Sequence, residues 1–191
     1  YVHCIIPRGG EGLIRFVSES SRVPVIKHYK GVCNLFVDAS ADLKMAEEIT
    51  VSSKCGRPGV CNAIENLVVE SSIVGEFLPQ VAKQLTDKGC ELIVDETAGN
   101  ILKDFLTRSV SEEDFAEEFL DLRLSIKVVD SLEDAISFVN TYGSGHSESI
   151  VTSNKKRAEI FLNAVDASSV YWNASTRFTD GFEFGLGAEI G

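Results

Sequence analysis

Short apolar runs alternate with amphipathic stretches along the whole chain. Val2 to Ile6, Val23 to Ile26, Leu35 to Val37, Leu67 to Val69, Leu92 to Val94, Ser125 to Val129, Ile150-Val151 and Val170 to Trp172 read as strands. Most are rich in β-branched or aromatic residues and lack the spacing of a helix face. Between them lie helical stripes: Leu13, Ile14, Phe16 and Val17, then Leu43, Ala46 and Ile49 with Ser40 as the expected cap, then Phe77 to Leu85 stopping at Gly89. Leu132 to Tyr142 and Lys155 to Leu162 complete the helices, and Ala98 to Val110 reads as less regular. Ser111 and Asp114 form a capping-box-like start for an acidic turn over 112–118, which reads as a solvated face. The first strand–helix–strand unit predicts a parallel pair, and the alternation as a whole predicts an α/β fold.

Composition narrows the class. With 44% hydrophobic and 25% charged residues, 191 residues can bury a core in one or two globular domains. No apolar run is long enough to span a membrane and no signal peptide is visible. The net charge of -11 is spread out, which argues against nucleic acid and means that an anionic ligand needs a local site. Five cysteines (4, 33, 55, 61 and 90) show neither paired nor metal-ligand spacing, so no metal is expected and a reduced cytoplasmic setting is. Cys4, Cys33 and Cys90 read as core packing. The chain starts at Tyr1 without an initiator methionine and reads as a piece of a longer protein.

One cysteine stands apart. In Arg57-Pro58-Gly59-Val60-Cys61-Asn62-Ala63 a cation lies near the thiol, Pro58 and Gly59 break regular structure, and Asn62 to Glu65 is expected to open a helical turn. A cation and a helix N-terminus both favour the thiolate, the reactive form. The alternative is a small buried apolar residue, the ordinary state of a free cysteine.

The wider segment, Val51 to Leu67, resembles the nucleophile segment of gamma-glutamyl phosphate reductases, in the aldehyde dehydrogenase superfamily. Three further segments resemble that family in the same order: Ile6 to Ile14, Tyr142 to Glu148, and Asn173 to Asp180 with Phe184 to Gly191. The resemblance implies an aldehyde dehydrogenase-like fold, with residues 1–30 closing a Rossmann-like cofactor domain, 31–172 the catalytic domain, and 173–191 a return segment lining the cleft. It implies NADPH-dependent reduction of L-glutamate 5-phosphate to L-glutamate 5-semialdehyde through a cysteine thioester, the second step of proline biosynthesis. Cys61 is the implied nucleophile. Arg57, His146, Asn173 and Arg177 are candidates for substrate binding, Arg177 foremost because its guanidinium can fork onto a carboxylate or phosphate. Pro7, Arg8, Gly9 and Glu118 are candidates for NADPH/NADP contact, and His28 for proton relay. Implied partners are the substrate, the glutamate 5-kinase that makes it, and further copies of the full-length protein.

Oxidative aldehyde dehydrogenases use a glutamate to activate water against the thioester. The corresponding stretch here, Ile26 to Gly31, contains none. That disfavours an oxidative enzyme. The reductase half of a bifunctional pyrroline-5-carboxylate synthase and a non-catalytic α/β module with inert Cys61 stay open.

Overall fold

The structure, a computed structural model, describes every residue except His28, Tyr29 and 188–191, and every described side chain except that of Glu11. The chain divides into two compact units, residues 1–30 and a larger unit beginning at Gly31.

In the first unit, helix α1 (Glu11–Ser20) connects two segments that meet at one parallel bridge, Ile5 with Val25. The parallel sense is as expected, but full strands over 2–6 and 23–26 do not form. Two short strands cannot by themselves cover both faces of a pair. Cys4 is exposed here, so its assignment to core packing is incorrect.

The second unit is built on a seven-stranded parallel sheet. In chain order it contains β1 (Cys33–Val37), α2 (Leu43–Cys55), β2 (Ile64–Glu70), α3 (Val74–Asp87), β3 (Glu91–Val94), α4 (Glu96–Ile101) and β4 (Thr107–Ser109). There follow β5 (Arg123–Val129), α5 (Leu132–Tyr142), β6 (Ser147–Val151), α6 (Lys155–Ala164) and β7 (Ser169–Trp172). Strand order is β4-β3-β5-β2-β1-β6-β7. Alternate strand residues feed two cores. Leu35, Val37, Leu67 and Val69 meet Ala46, Phe77, Leu78 and Val81 on one face, while Phe36, Val68 and Ile150 meet Phe138 and Phe161 on the other. Covering both faces explains why the strands read as continuous apolar runs.

Helix starts follow their side chains. Ser131 caps α5 through Asp134 N–H at 3.1 Å, and Asn154 caps α6 through the N–H groups of Lys156 and Arg157. Helix α2 is capped by Asp42, which accepts from Met45 N–H at 3.0 Å, and not by Ser40. Ser40 instead donates to Asp38 at 2.7 Å, where a buried carboxylate is the stronger acceptor. The stretch 98–110 carries the end of α4 and the edge strand β4. A capping aspartate, Asp95, and a three-residue strand are too brief to leave a periodic signal. A short 3-10 turn, Glu113–Ala116, stands where the acidic turn was expected. Among the described residues no helix is long and apolar enough to cross a membrane.

Candidate functional site

Because all seven strands run the same way, the residues that enter β1, β2 and β6 share one edge of the sheet. Gly31-Val32 enters β1, Val60 to Ala63 enters β2, and Ser144 to His146 enters β6. Ser144 ties two of these entries together, its N–H and its hydroxyl both donating to the Val32 carbonyl at 3.0 and 3.2 Å.

Cys61 occupies the tip of a tight turn. Ala63 N–H donates to Val60 O at 3.0 Å, leaving Cys61 and Asn62 as the two central residues. The thiol-bearing residue is half-buried. The helical turn expected over Asn62 to Glu65 is absent, because Ile64 and Glu65 already belong to β2, held by β1 and β5 on either side. A helix N-terminus therefore does not favour the thiolate; the turn's contribution is presentation. Two neighbours hold it from beneath. The Cys33 thiol donates to Cys61 O at 3.2 Å, and burial, with Glu148 nearby, pushes that thiol well above the usual range, keeping it a donor. Gly31 packs directly on the turn: a Cβ there would lie 2.5 Å from Cys61 O and 2.8 Å from its Cα and Cβ.

After β7 the chain turns back along the sheet. Asn173, in the left-handed region with φ 54°, stays at the carboxyl edge, where its side chain accepts from Thr152 N–H at 2.9 Å and donates to Thr152 O. Ser149 Oγ then donates to Ala174 O at 2.6 Å, Ser175 Oγ meets Ser53 Oγ at 2.7 Å, and Thr176 Oγ1 donates to Asn62 O at 2.7 Å. Asn62 anchors the end of this path. Its Nδ2 donates to Thr179 O at 2.8 Å, and its Oδ1 accepts from the Arg177 guanidinium. A hydroxyl chain continues sideways: Thr179 Oγ1 meets Ser147 Oγ at 2.6 Å and Tyr171 OH at 2.8 Å, while Ser147 Oγ meets His146 Nδ1 at 2.8 Å.

Cys61, Arg177 and His146 are thus linked through Asn62, Thr179 and Ser147 at one edge. Arg57 is exposed on the loop leading to Cys61. Asn173 sits at the opposite edge with its amide engaged by backbone. Glu118 is half-buried between the 3-10 turn and β5. Pro7, Arg8 and Gly9 follow the Ile5 bridge and lead into α1 within the first unit. His28 lies outside the described residues.

Beneath the turns the sheet carries buried polar groups. Ser125, Asn66, Asn34 and Glu148 stand in register across β5, β2, β1 and β6. Asn66 Nδ2 donates to Asn34 Oδ1, while Asn34 N–H and Nδ2 donate to Glu148 Oε2 at 2.7 and 2.8 Å. Burial pushes Glu148 well above the carboxylate range despite those donors. Lys54, in the last turn of α2, and Glu65, in β2, form a fully buried pair at 2.5 Å. At the carboxyl edge, Arg157 bridges Asp38 at 2.5 Å and Glu70 at 2.6 Å. That crosslink lies at the edge where open α/β sheets usually bind ligands, the edge that also carries Asn173, whereas Cys61, Arg177 and His146 lie at the other. Among the described residues no group of His, Cys, Asp and Glu is placed to hold a metal.

Sequence reasoning missed Gly31, Cys33 and Asn62 as parts of the site. Asn62 was legible only as the opening of a helical turn, since Glu65 and Asn66 interrupt the apolar pattern of β2; Gly31 gave no local signal, since its neighbour is Cys61.

The aldehyde dehydrogenase family model matches residues 115–187. Across 197 aligned positions the whole chain is 54% identical to a gamma-glutamyl phosphate reductase of Persephonella marina and spans 44% of that protein. The crystal structure of gamma-glutamyl phosphate reductase from Thermotoga maritima superposes with a TM-score of 0.96 at 46% identity, over 100% of this chain and 46% of that one. The NADP-dependent glyceraldehyde-3-phosphate dehydrogenase of Bacillus halodurans, solved in complex with NADP, is 20% identical with a TM-score of 0.72, over 91% of this chain and 44% of that one, and shares the fold. The fold is aldehyde dehydrogenase-like, and the chain spans about half the length of the curated relatives it matches.

Proposed function

We propose, for a chain that is a relative of the gamma-glutamyl phosphate reductases of the aldehyde dehydrogenase superfamily, that its full-length protein reduces L-glutamate 5-phosphate to L-glutamate 5-semialdehyde with NADPH, releasing phosphate. The observation that carries the reading is the Cys61 turn, which presents a half-buried thiol beside an asparagine that holds an arginine.

In this reading the Cys61 sulfur attacks the acyl carbon, the carbon–oxygen bond to phosphate breaks, and a thioester remains. The Arg177 guanidinium, kept near Cys61 by Asn62, meets the substrate carboxylate or phosphate in a charge-assisted fork. The Cys61 N–H contributes to holding the developing oxyanion. His146, through Ser147 and Thr179, orients the hydroxyls beside the leaving group, and exposed Arg57 adds positive charge where phosphate departs. Pro7, Arg8 and Gly9 suit the dinucleotide in one respect: they lead into α1, whose N-cap Gly10 has no side-chain cap, so its first N–H groups suit an anion. Glu118 suits a ribose hydroxyl. NADPH, when bound, supplies the hydride that takes the thioester to the aldehyde level. Collapse on Cys61 then releases the semialdehyde and restores the thiol. Ile26 to Gly31 lacks the glutamate that oxidative aldehyde dehydrogenases use to activate water against the thioester, which supports the reductive reading. The setting is proline biosynthesis in the cytoplasm, with a glutamyl kinase supplying the unstable acyl phosphate and the full-length protein forming oligomers.

The test is the reverse reaction of the full-length protein with semialdehyde and NADP. NADPH formation that requires phosphate, and is lost in Cys61→Ala, is expected. Equal rates without phosphate mean that water resolves the thioester, and turnover retained in Cys61→Ala removes the cysteine from the mechanism.

A further inference from the structure

We infer that the buried Lys54–Glu65 pair is a positioning device that couples the Cys61 turn to the segment carrying Glu118. The inference rests on the reading of Cys61 as nucleophile.

The pair brackets the nucleophile loop: Lys54 closes α2 seven positions before Cys61, and Glu65 stands in β2 four positions after it. Both side chains have 0% exposure and the contact is 2.5 Å. Taking two charges out of water is costly, and well-packed apolar residues often serve stability as well or better, so stability is a poor explanation for such a pair. Direction is a better one. Glu65 uses one oxygen for Lys54 and the other to accept from Leu120 N–H at 3.3 Å. Leu120 has φ 56°, a conformation an unrestrained leucine rarely adopts. Its carbonyl lies 3.4 Å from where a Cβ on Gly59 would be, so segment 118–120 lies against the cysteine loop itself. Lys54 Nζ lies 6.0 Å from the Phe119 ring centroid, with the Arg123 guanidinium 4.7 Å from the same ring. One carboxylate therefore registers three pieces of backbone: the end of α2, the strand leaving the cysteine turn, and the stretch between Glu118 and β5. A shift of Glu65 moves the thiol and Glu118 relative to each other.

The test compares Lys54→Met/Glu65→Leu, Glu65→Gln and Cys61→Ala in the full-length protein at pH 8. Readouts are melting temperature, the single-turnover burst of phosphate from glutamyl phosphate, and KM for NADPH. The apolar double variant is expected to melt no lower than the parent, yet to lose about ten- to a hundredfold in the burst rate, since misplacement of about 1 Å costs that order. Its KM for NADPH is expected to rise at least threefold. Glu65→Gln can still accept from Leu120 and is expected to keep KM within twofold while losing burst rate. A double variant with parental burst rate and KM overturns the inference while leaving Cys61 in place, provided Cys61→Ala is inactive. If the double variant does not fold, Glu65→Gln decides alone, and a parental burst rate overturns the coupling. Turnover in Cys61→Ala instead overturns the reading beneath it.

Discussion

Gly31→Ala tests whether the cysteine turn is positioned by close packing from below. The added Cβ would lie 2.5 Å from Cys61 O and 2.8 Å from both Cys61 Cα and Cβ. Ordinary carbon contacts begin near 3.5 Å, so the two backbones must part by about 0.7 Å. All three contacted atoms are backbone or Cβ, so no rotamer change relieves the clash. Overpacking of this kind costs about 1–3 kcal/mol of stability. At roughly a hundredfold per ångström of misplacement, turnover falls by about ten- to fiftyfold. The assay is the phosphate-dependent reverse reaction of the full-length protein, with urea unfolding alongside. Gly75→Ala serves as control, because a Cβ at Gly75 meets nothing within 4 Å and alanine is the better helix former. A Gly31→Ala protein with turnover within twofold of the parent refutes the argument that this contact places the thiol.

Arg157→Met strands Asp38 without its guanidinium at the carboxyl edge; Asp38 has 0% exposure, so unfolding free energy should drop by about 3–5 kcal/mol in urea while KM for the acyl phosphate holds. Burial pushes Glu65 from 4.5 up to about 7, against the pull of Lys54, so the folded protein holds this proton more tightly than the unfolded chain. Its contribution is complete below 4.5 and is lost as pH rises through about 7; urea titrations across that window should show stability falling by at most about 3 kcal/mol, and Glu65→Gln should flatten the slope. Cys55, lowered to about 7 by a hydrogen bond from Cys90 and by Lys88 and Lys54, outweighing its burial, should be alkylated by iodoacetamide at pH 7.5 faster than buried Cys33 or Cys90, as peptide mass spectrometry would record.

The strands of the central sheet were legible because burial on both faces leaves a run of apolar residues that needs no tertiary context. The weaker elements were not: β4 is three edge residues, and α4 depends on one capping aspartate. Ile64 and Glu65 were misassigned because Asn62 has the composition of a helix cap, whereas pairing of β2 with both β1 and β5 decides the backbone. Cys61 and Arg177 could be singled out by chemical type and resemblance. Their relation could not, since Asn62 to Arg177 is a contact across 115 positions. Gly31 shows the same limit: its constraint is set by atoms 30 residues away, and only coordinates bring them together.

The division of labour between the two sheet edges bears on how such a protein can change. The Arg157 crosslink joins Asp38 and Glu70 at one end of the strands, while the turns around Cys61, where the proposed chemistry would take place, lie at the other. Five strand residues of β1 separate them. Substitutions at Arg57, His146 or Arg177, the proposed substrate contacts, can therefore be made without loosening the crosslink. A stabilising substitution near Arg157 can in turn offset a costly but useful change at the thiol end. Such separation makes a scaffold evolvable, and directed evolution should find permissive mutations at the carboxyl edge before specificity mutations at the amino edge.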